Sequence, residues 1–93
     1  MKNAHNNFLK TDDGEQIFYS TNFKPGSITE NVVVFNYGLV CSNFHYGEQI
    51  EFLESIGKPI LIYDYRGHFQ SSGIENLESI TFERMAIDLS LLI

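Results

Sequence analysis

Near its start, the chain has bulky side chains before a short polar turn and alternating polar and bulky side chains after it. Phe8 and Leu9 precede the turn at residues 11–14, and Gln16-Ile17-Phe18-Tyr19 follows it. The turn contains Asp13-Gly14, a strong hairpin signal because both residues tolerate positive φ. This pattern predicts a β-hairpin from Phe8 to Tyr19.

Two uninterrupted apolar runs, residues 32–35 and 60–63, follow the hairpin. Such runs are typical of strands buried on both faces of a parallel sheet. Between them Tyr46, Ile50 and Leu53 recur at helical spacing. We therefore expect a right-handed strand, helix, strand unit whose two strands are adjacent and parallel, with the hairpin continuing the same sheet.

The helix between the two apolar runs carries signals at both of its ends. Ser42 or Asn43 can cap its first amides, and Gly57 followed by Pro59 is a typical stop. A second helix is predicted after Thr81, which can cap it. Its apolar stripe consists of Phe82, Met85, Leu89 and Leu92. The chain ends within this stripe, so we expect residues 1–93 to be the N-terminal portion of one incomplete domain.

The amino-acid composition limits the classes of function that the chain can have. The 93 residues are 43% hydrophobic and carry a net charge of −6. Scattered Lys and Arg residues argue against nucleic acid as a partner, because phosphate binding usually needs a basic patch. No apolar run approaches the roughly 20 residues of a membrane span, and the polar start does not resemble a signal peptide. With one cysteine, Cys41, these features favour a cytoplasmic protein.

Three motifs in order resemble the α/β-hydrolase family. Residues 32–42 are similar to the third strand and oxyanion loop of that family, with Gly38 at the loop. Residues 59–73 resemble its fourth strand and the Asp-x-Arg-Gly-His-Gly-x-Ser turn. The segment from Thr81 to Leu92 resembles the helix that leads to the nucleophile elbow. Together the matches span Phe8 to Ile93.

The resemblance implies a fold, a site and a substrate class. The fold would be α/β, the N-terminal part of a hydrolase sheet that has three layers in the complete parent. The backbone N–H of Leu39 would be one of two donors to the oxyanion, and the substrate would be a small acyl compound such as an ester or thioester. No Gly-x-Ser-x-Gly occurs, so nucleophile, acid and base are absent and this chain alone is expected to be inactive. No cofactor or metal is expected.

The chain departs from the family pattern at two positions. Tyr37 occupies the usual place of His in the oxyanion loop, which affects how the loop is held open and which substrates fit. Phe69 replaces the Gly that follows Arg-Gly-His, which predicts a bulkier turn after the fourth strand.

Other candidate side chains each have a structural alternative. Asp64 and Arg66 could form a catalytic pair, but the resemblance favours a structural turn. His68 could act as a base, although the family's triad His lies elsewhere. The remaining candidates lack a partner that would activate them and are interpreted as loop, terminus or turn residues: Cys41, Ser71, Ser72, His5 and His45.

Two other function classes stay open. The chain could be a non-catalytic α/β binding or interaction module, which a stop codon directly after Ile93 would favour. Nucleotide binding is less favoured, because residues 37–41 lack the Gly-x-Gly-x-x-Gly pattern. In the strand order of the α/β-hydrolase family the third strand lies next to a fifth that this chain does not have. Residues 32–35 would then form an exposed apolar edge, so we expect the isolated chain to self-associate.

Overall fold

The computed structural model describes residues 1, 4–24, 26–27, 31–36 and 46–93. These residues form a mixed four-stranded sheet in the order β1-β2-β4-β3, together with two α-helices. The elements in chain order are β1 (His5–Lys10), β2 (Gln16–Thr21), β3 (Val33–Phe35), α1 (Gly47–Ser55), β4 (Ile60–Tyr63) and α2 (Phe82–Leu92), with a short 3-10 helix at Leu77–Ser79 before α2. The predicted mixture of α and β elements is confirmed.

The central pairing of the sheet matches the sequence prediction. β3 and β4 are parallel neighbours, with Val33 opposite Ile60 and Phe35 opposite Ile62. On its other side β4 pairs with β2 in antiparallel register, so the hairpin belongs to the same sheet. The right-handedness of the connection between β3 and β4 stays a prediction.

The hairpin is confirmed, but its turn is not the predicted Asp-Gly turn with two positive φ angles. The Thr11 N–H donates to the Glu15 carbonyl at 2.8 Å, and the Gly14 N–H donates to the Thr11 carbonyl at 3.1 Å. Of the two central candidates only Gly14 has a positive φ, 92°. The loop therefore has three residues with glycine at its last position.

The chain divides into two compact units. The first comprises Met1–Asn7 and Tyr19–Tyr63, and its core contains Ile50 of α1 with Ile60 and Ile62 of β4. All four residues of β4 are buried, whereas the three residues of β3 are only half-buried. The prediction of burial on both faces is thus confirmed for β4 and wrong for β3, because β4 lies between two strands while β3 is last in the sheet order.

Helix α1 ends as predicted but begins later than predicted. Its N-cap residue is Tyr46, whose side chain does not cap the helix, while Ser42 and Asn43 lie outside the described residues. At its other end Gly57 has a φ of 76°, and its N–H donates to the Glu54 carbonyl at 3.0 Å. The Lys58 N–H reaches the Leu53 carbonyl at 3.0 Å, which completes a Schellman motif.

The second unit comprises Phe8–Phe18 and Asp64–Ile93 and contains α2. Thr81 caps this helix as predicted: its hydroxyl accepts a hydrogen bond from the Arg84 N–H at 3.1 Å. The predicted apolar stripe is only partly correct, because Phe82 is 76% exposed and the buried residue of α2 is Asp88. Neither α1 nor α2 is long and apolar enough to cross a bilayer.

Candidate functional site

The predicted oxyanion residue, Leu39, lies outside the described residues, as do Tyr37, Gly38, Cys41 and His45. The structure does describe the strand that leads to this loop. Because β3 and β4 are parallel, their carboxyl ends lie at the same edge of the sheet. Asn36 follows β3 at this edge, and Tyr63 ends β4.

A side-chain hydrogen bond joins these two strand ends. The Tyr63 hydroxyl donates to the Asn36 Oδ1 at 2.5 Å. Tyr63 is 4% exposed, whereas Asn36 is exposed. The buried Tyr63 side chain is thus hydrogen-bonded to Asn36, the residue that precedes the predicted oxyanion loop.

In the second unit, the turn after β4 is fixed by two serine hydroxyls. Ser71 Oγ accepts from the Phe18 N–H at 2.9 Å and donates to the Asp64 carbonyl at 2.6 Å. Ser72 Oγ accepts from the Gln16 N–H at 2.7 Å and donates to the Glu15 carboxylate at 2.8 Å. Both hydroxyls are engaged with this unit's own chain, in agreement with their interpretation as turn residues.

Arg66 is the most deeply buried charged residue of this turn, with no exposed surface. Its Nε and Nη2 donate to the two oxygens of Asp88 at 2.6 and 2.9 Å. Its Nη1 and Nη2 donate to the two oxygens of Asp13 at 2.8 and 3.0 Å. Two bidentate pairs use the planar fork of one guanidinium, which lysine could not reproduce.

A second arginine extends this cluster at its more exposed side. Arg84 lies one helical turn before Asp88, its Nη2 is 3.3 Å from Asp88 Oδ1, and it also pairs with Asp12. Hydrogen bonds from Arg66 and Thr11 hold the pKa of Asp13 well below its usual value, and a hydrogen bond from Arg84 lowers the pKa of Asp12. Asp12 and Asp13 are therefore ionised at neutral pH and act as fixed counter-charges.

Asp64 and Arg66 do not form the pair that a catalytic interpretation would need. Asp64 Oδ2 accepts a hydrogen bond from the Gln70 N–H at 3.2 Å. Burial raises the pKa of the Asp64 carboxyl above its usual value, and the Gln70 bond and the nearby His68 offset part of this rise. The structural interpretation of this turn is supported, with Asp13 and Asp88 as the partners of Arg66.

His68 and Phe69 form the exposed end of the turn. His68 Nδ1 lies 3.0 Å from the Arg66 carbonyl, which favours the tautomer with a proton on Nδ1. Phe69 has a φ of 47°, in the left-handed region, and its side chain is 59% exposed. The bulky residue thus adopts the backbone conformation for which the family pattern has glycine.

Asp13 and Asp88 are the important residues that the sequence analysis missed. They lie 53 and 22 positions from Arg66 along the chain, so no local motif joins them. One signal was available for Asp88: it lies at helical spacing between Met85 and Leu92, within the apolar side of α2. A carboxylate in that position requires a buried cation as its partner.

The serine and histidine side chains of the turn after β4 do not form a nucleophile and base pair. The Ser71 and Ser72 hydroxyls are engaged as above, and the His68 imidazole contacts the Arg66 carbonyl rather than either hydroxyl. Among the residues that the structure describes, no three His, Cys, Asp or Glu side chains are grouped so that they could hold a metal ion.

The chain matches no model of a known protein family, and no curated protein or solved structure is significantly similar to it. The resemblance to α/β-hydrolases is therefore carried by the motifs in its sequence.

Proposed function

We propose that this chain forms the N-terminal, oxyanion-loop part of a serine-type α/β-hydrolase that acts on esters, thioesters or related acyl compounds. The nucleophile, acid and base would come from sequence outside these 93 residues. One observation carries the proposal: the two strands that bear the hydrolase-like motifs are parallel neighbours, and the strand beside them is antiparallel. In the family a fifth strand lies next to the third, and here β3 is last in the sheet order.

The chemical contribution of this part is a backbone amide. In acyl transfer the nucleophilic serine attacks the carbonyl carbon, and negative charge develops on the carbonyl oxygen. The Leu39 N–H would donate a hydrogen bond to that oxygen, where a preorganised donor stabilises the transition state more than the substrate. The Leu39 side chain should therefore matter little. No cofactor is needed for this reaction.

Two measurements test the proposal. The gene downstream of Ile93 should encode Gly-x-Ser-x-Gly, followed by an acid and a histidine in that order. The protein from the whole reading frame should hydrolyse p-nitrophenyl esters or acyl thioesters and should react with a fluorophosphonate probe. A matched variant with Ala in place of the elbow serine should do neither. A folded protein without either activity would contradict the proposal.

One observation favours the alternative of an interaction module. Large apolar side chains of α2 and its end are exposed: Phe82 is 76% exposed and Ile93 82% exposed. A natural stop codon directly after Ile93 would support this alternative.

Self-association of the 93-residue chain is proposed under either function. The exposed apolar residues and the terminal position of β3 in the sheet order favour it. Sedimentation velocity should show species larger than a monomer, and a monomer at high micromolar concentration would contradict it. That the substrate is a small acyl compound and that the protein is cytoplasmic are predictions from the sequence.

A further inference from the structure

The hairpin turn of the second unit contains a peptide bond that is chemically vulnerable, the one between Asp13 and Gly14. In an Asp-Gly sequence the backbone nitrogen of the glycine can attack the side-chain carboxyl of the aspartate, because glycine has no side chain to shield that nitrogen. Among the 93 residues no other aspartate or asparagine precedes a glycine. This turn is therefore the place where an isoaspartate would form most readily.

The reaction has two steps and needs only water. In the first step the Gly14 nitrogen bonds to Cγ of the protonated Asp13 carboxyl, the Cγ–OH bond breaks, and the hydroxyl leaves with the amide proton as water. In the second step water opens this succinimide ring at the original backbone carbonyl of Asp13, and the nitrogen regains its proton. The chain then continues through Cγ, and the carboxylate lies where the backbone carbonyl was.

The structure opposes the first step through the hydrogen bonds of the Asp13 carboxylate. Arg66 donates from Nη1 to Oδ2 at 2.8 Å and from Nη2 to Oδ1 at 3.0 Å. The Thr11 hydroxyl donates to Oδ1 at 2.5 Å. Ring closure expels one of these two oxygens, so it requires that the hydrogen bonds to that oxygen break first. Charge-assisted bidentate bonds are the stronger kind, which makes this release rare.

The protonation of the two reacting groups is also unfavourable for ring closure. The carboxyl must be protonated so that its oxygen can leave, but hydrogen bonds from Arg66 and Thr11 hold the pKa of Asp13 well below its usual value. The amide must lose its proton, but the Gly14 N–H donates to the Thr11 carbonyl at 3.1 Å. The same turn thus combines the vulnerable sequence with contacts that oppose its reaction.

We propose that Asp13-Gly14 is a latent isoaspartate site that the bidentate ion pair with Arg66 keeps closed. This inference does not depend on the proposed hydrolase function. An isoaspartate adds one atom to the backbone of the turn and removes the carboxylate from its place opposite Arg66. Because Arg66 is fully buried, water cannot replace the lost partner. Modification would therefore weaken the charge cluster and would favour further opening of the turn.

The experiment follows isoaspartate at residue 13 over time in the protein from the whole reading frame, at physiological temperature and neutral pH. Proteolysis and electron-transfer mass spectrometry locate the modification, and the wild type in urea gives the rate without the fold. Folded wild type should react at least about 10-fold more slowly than the protein in urea. Arg66→Lys, and Arg66→Met combined with Asp88→Leu, should each raise the folded rate by about 10-fold.

A variant of the first unit controls for lost stability. Ile60 is buried against α1 and does not contact Asp13, so Ile60→Val or Ile60→Ala, whichever better matches the Arg66 variants in free energy of unfolding, should stay within about twofold of the wild-type rate. An equal rise in this control would overturn the proposal, since it would show that general unfolding exposes the turn.

The remaining outcomes also decide the proposal. It is overturned if the folded wild type reacts as fast as the protein in urea, or if no isoaspartate forms at residue 13 in urea. Both Arg66 variants are first examined by circular dichroism, and the double variant avoids a buried carboxylate without a cation in case Arg66→Lys does not fold. A folded Arg66 variant that keeps the wild-type rate contradicts the role of the ion pair.

Discussion

The first compact unit buries mainly apolar side chains, such as Ile50, Ile60 and Ile62, whereas the second buries Arg66 and Asp88. In the first unit stability comes from apolar area removed from water, which needs no particular geometry between partners. In the second, the guanidinium and carboxylates offset their desolvation only while every hydrogen bond is made. The second unit should therefore tolerate single substitutions less well.

The largest expected effect comes from removing one partner of the buried ion pairs. Arg66→Met leaves the Asp88 carboxylate buried without its main cation, so the free energy of unfolding should fall by about 3–5 kcal/mol. Arg66→Lys keeps the charge but loses the bidentate geometry. Its free energy of unfolding should therefore lie between those of the wild type and Arg66→Met. Urea unfolding followed by circular dichroism, at two protein concentrations to detect association, measures both.

A double variant sharpens this test. Arg66→Met with Asp88→Leu replaces both members of the most buried pair by apolar groups, so it should be more stable than Arg66→Met alone. If the double variant is less stable than the single one, the cost does not come from an unpaired buried carboxylate.

A smaller effect is expected in the apolar unit. Ile60 is fully buried against α1, so Ile60→Ala should lower the free energy of unfolding by about 2–4 kcal/mol, and Ile60→Val by about 1 kcal/mol. The graded loss is the signature of apolar packing. A loss for Ile60→Val as large as that for Ile60→Ala would show that apolar packing is not what stabilises the first unit at Ile60.

The smallest effect concerns the backbone of Phe69. Its left-handed φ of 47° costs an ordinary residue about 1 kcal/mol, which glycine does not incur. Because the side chain is largely exposed, Phe69→Gly should stabilise the protein by about 1 kcal/mol, measured by the same urea unfolding. Phe69→Ala keeps the Cβ atom and should bring no gain, and an equal gain in both variants would show that backbone strain is not the cause.

Local patterns predicted much of the sheet and its helices. The apolar run at residues 60–63 forms a strand with the predicted bounds. Helix α1 ends before Gly57, and Thr81 caps the start of α2, both as predicted. These signals act within a few residues of each other, so they can be read along the chain. The predicted type of turn at Asp13-Gly14 was wrong, because Asp-Gly also occurs in a three-residue loop whose last residue is glycine.

The charge cluster could not be predicted because its members come from three distant segments. Arg66 lies in the turn after β4, and its partners Asp13 and Asp88 lie in the hairpin turn and in α2. The hydrogen bond from Tyr63 to Asn36 likewise depends on strand register, which a sequence pattern does not specify to one residue.

The proposed role of the Leu39 N–H as an oxyanion donor can be tested by comparing Leu39→Pro with Leu39→Ala in the protein from the whole reading frame. Proline removes the N–H, so kcat should fall by about 10²–10³-fold with KM nearly unchanged, while alanine keeps the amide and should be mild. Circular dichroism and thermal melting must first show that both variants fold. A folded Leu39→Pro variant that keeps the wild-type kcat would contradict the assignment of Leu39 as an oxyanion donor.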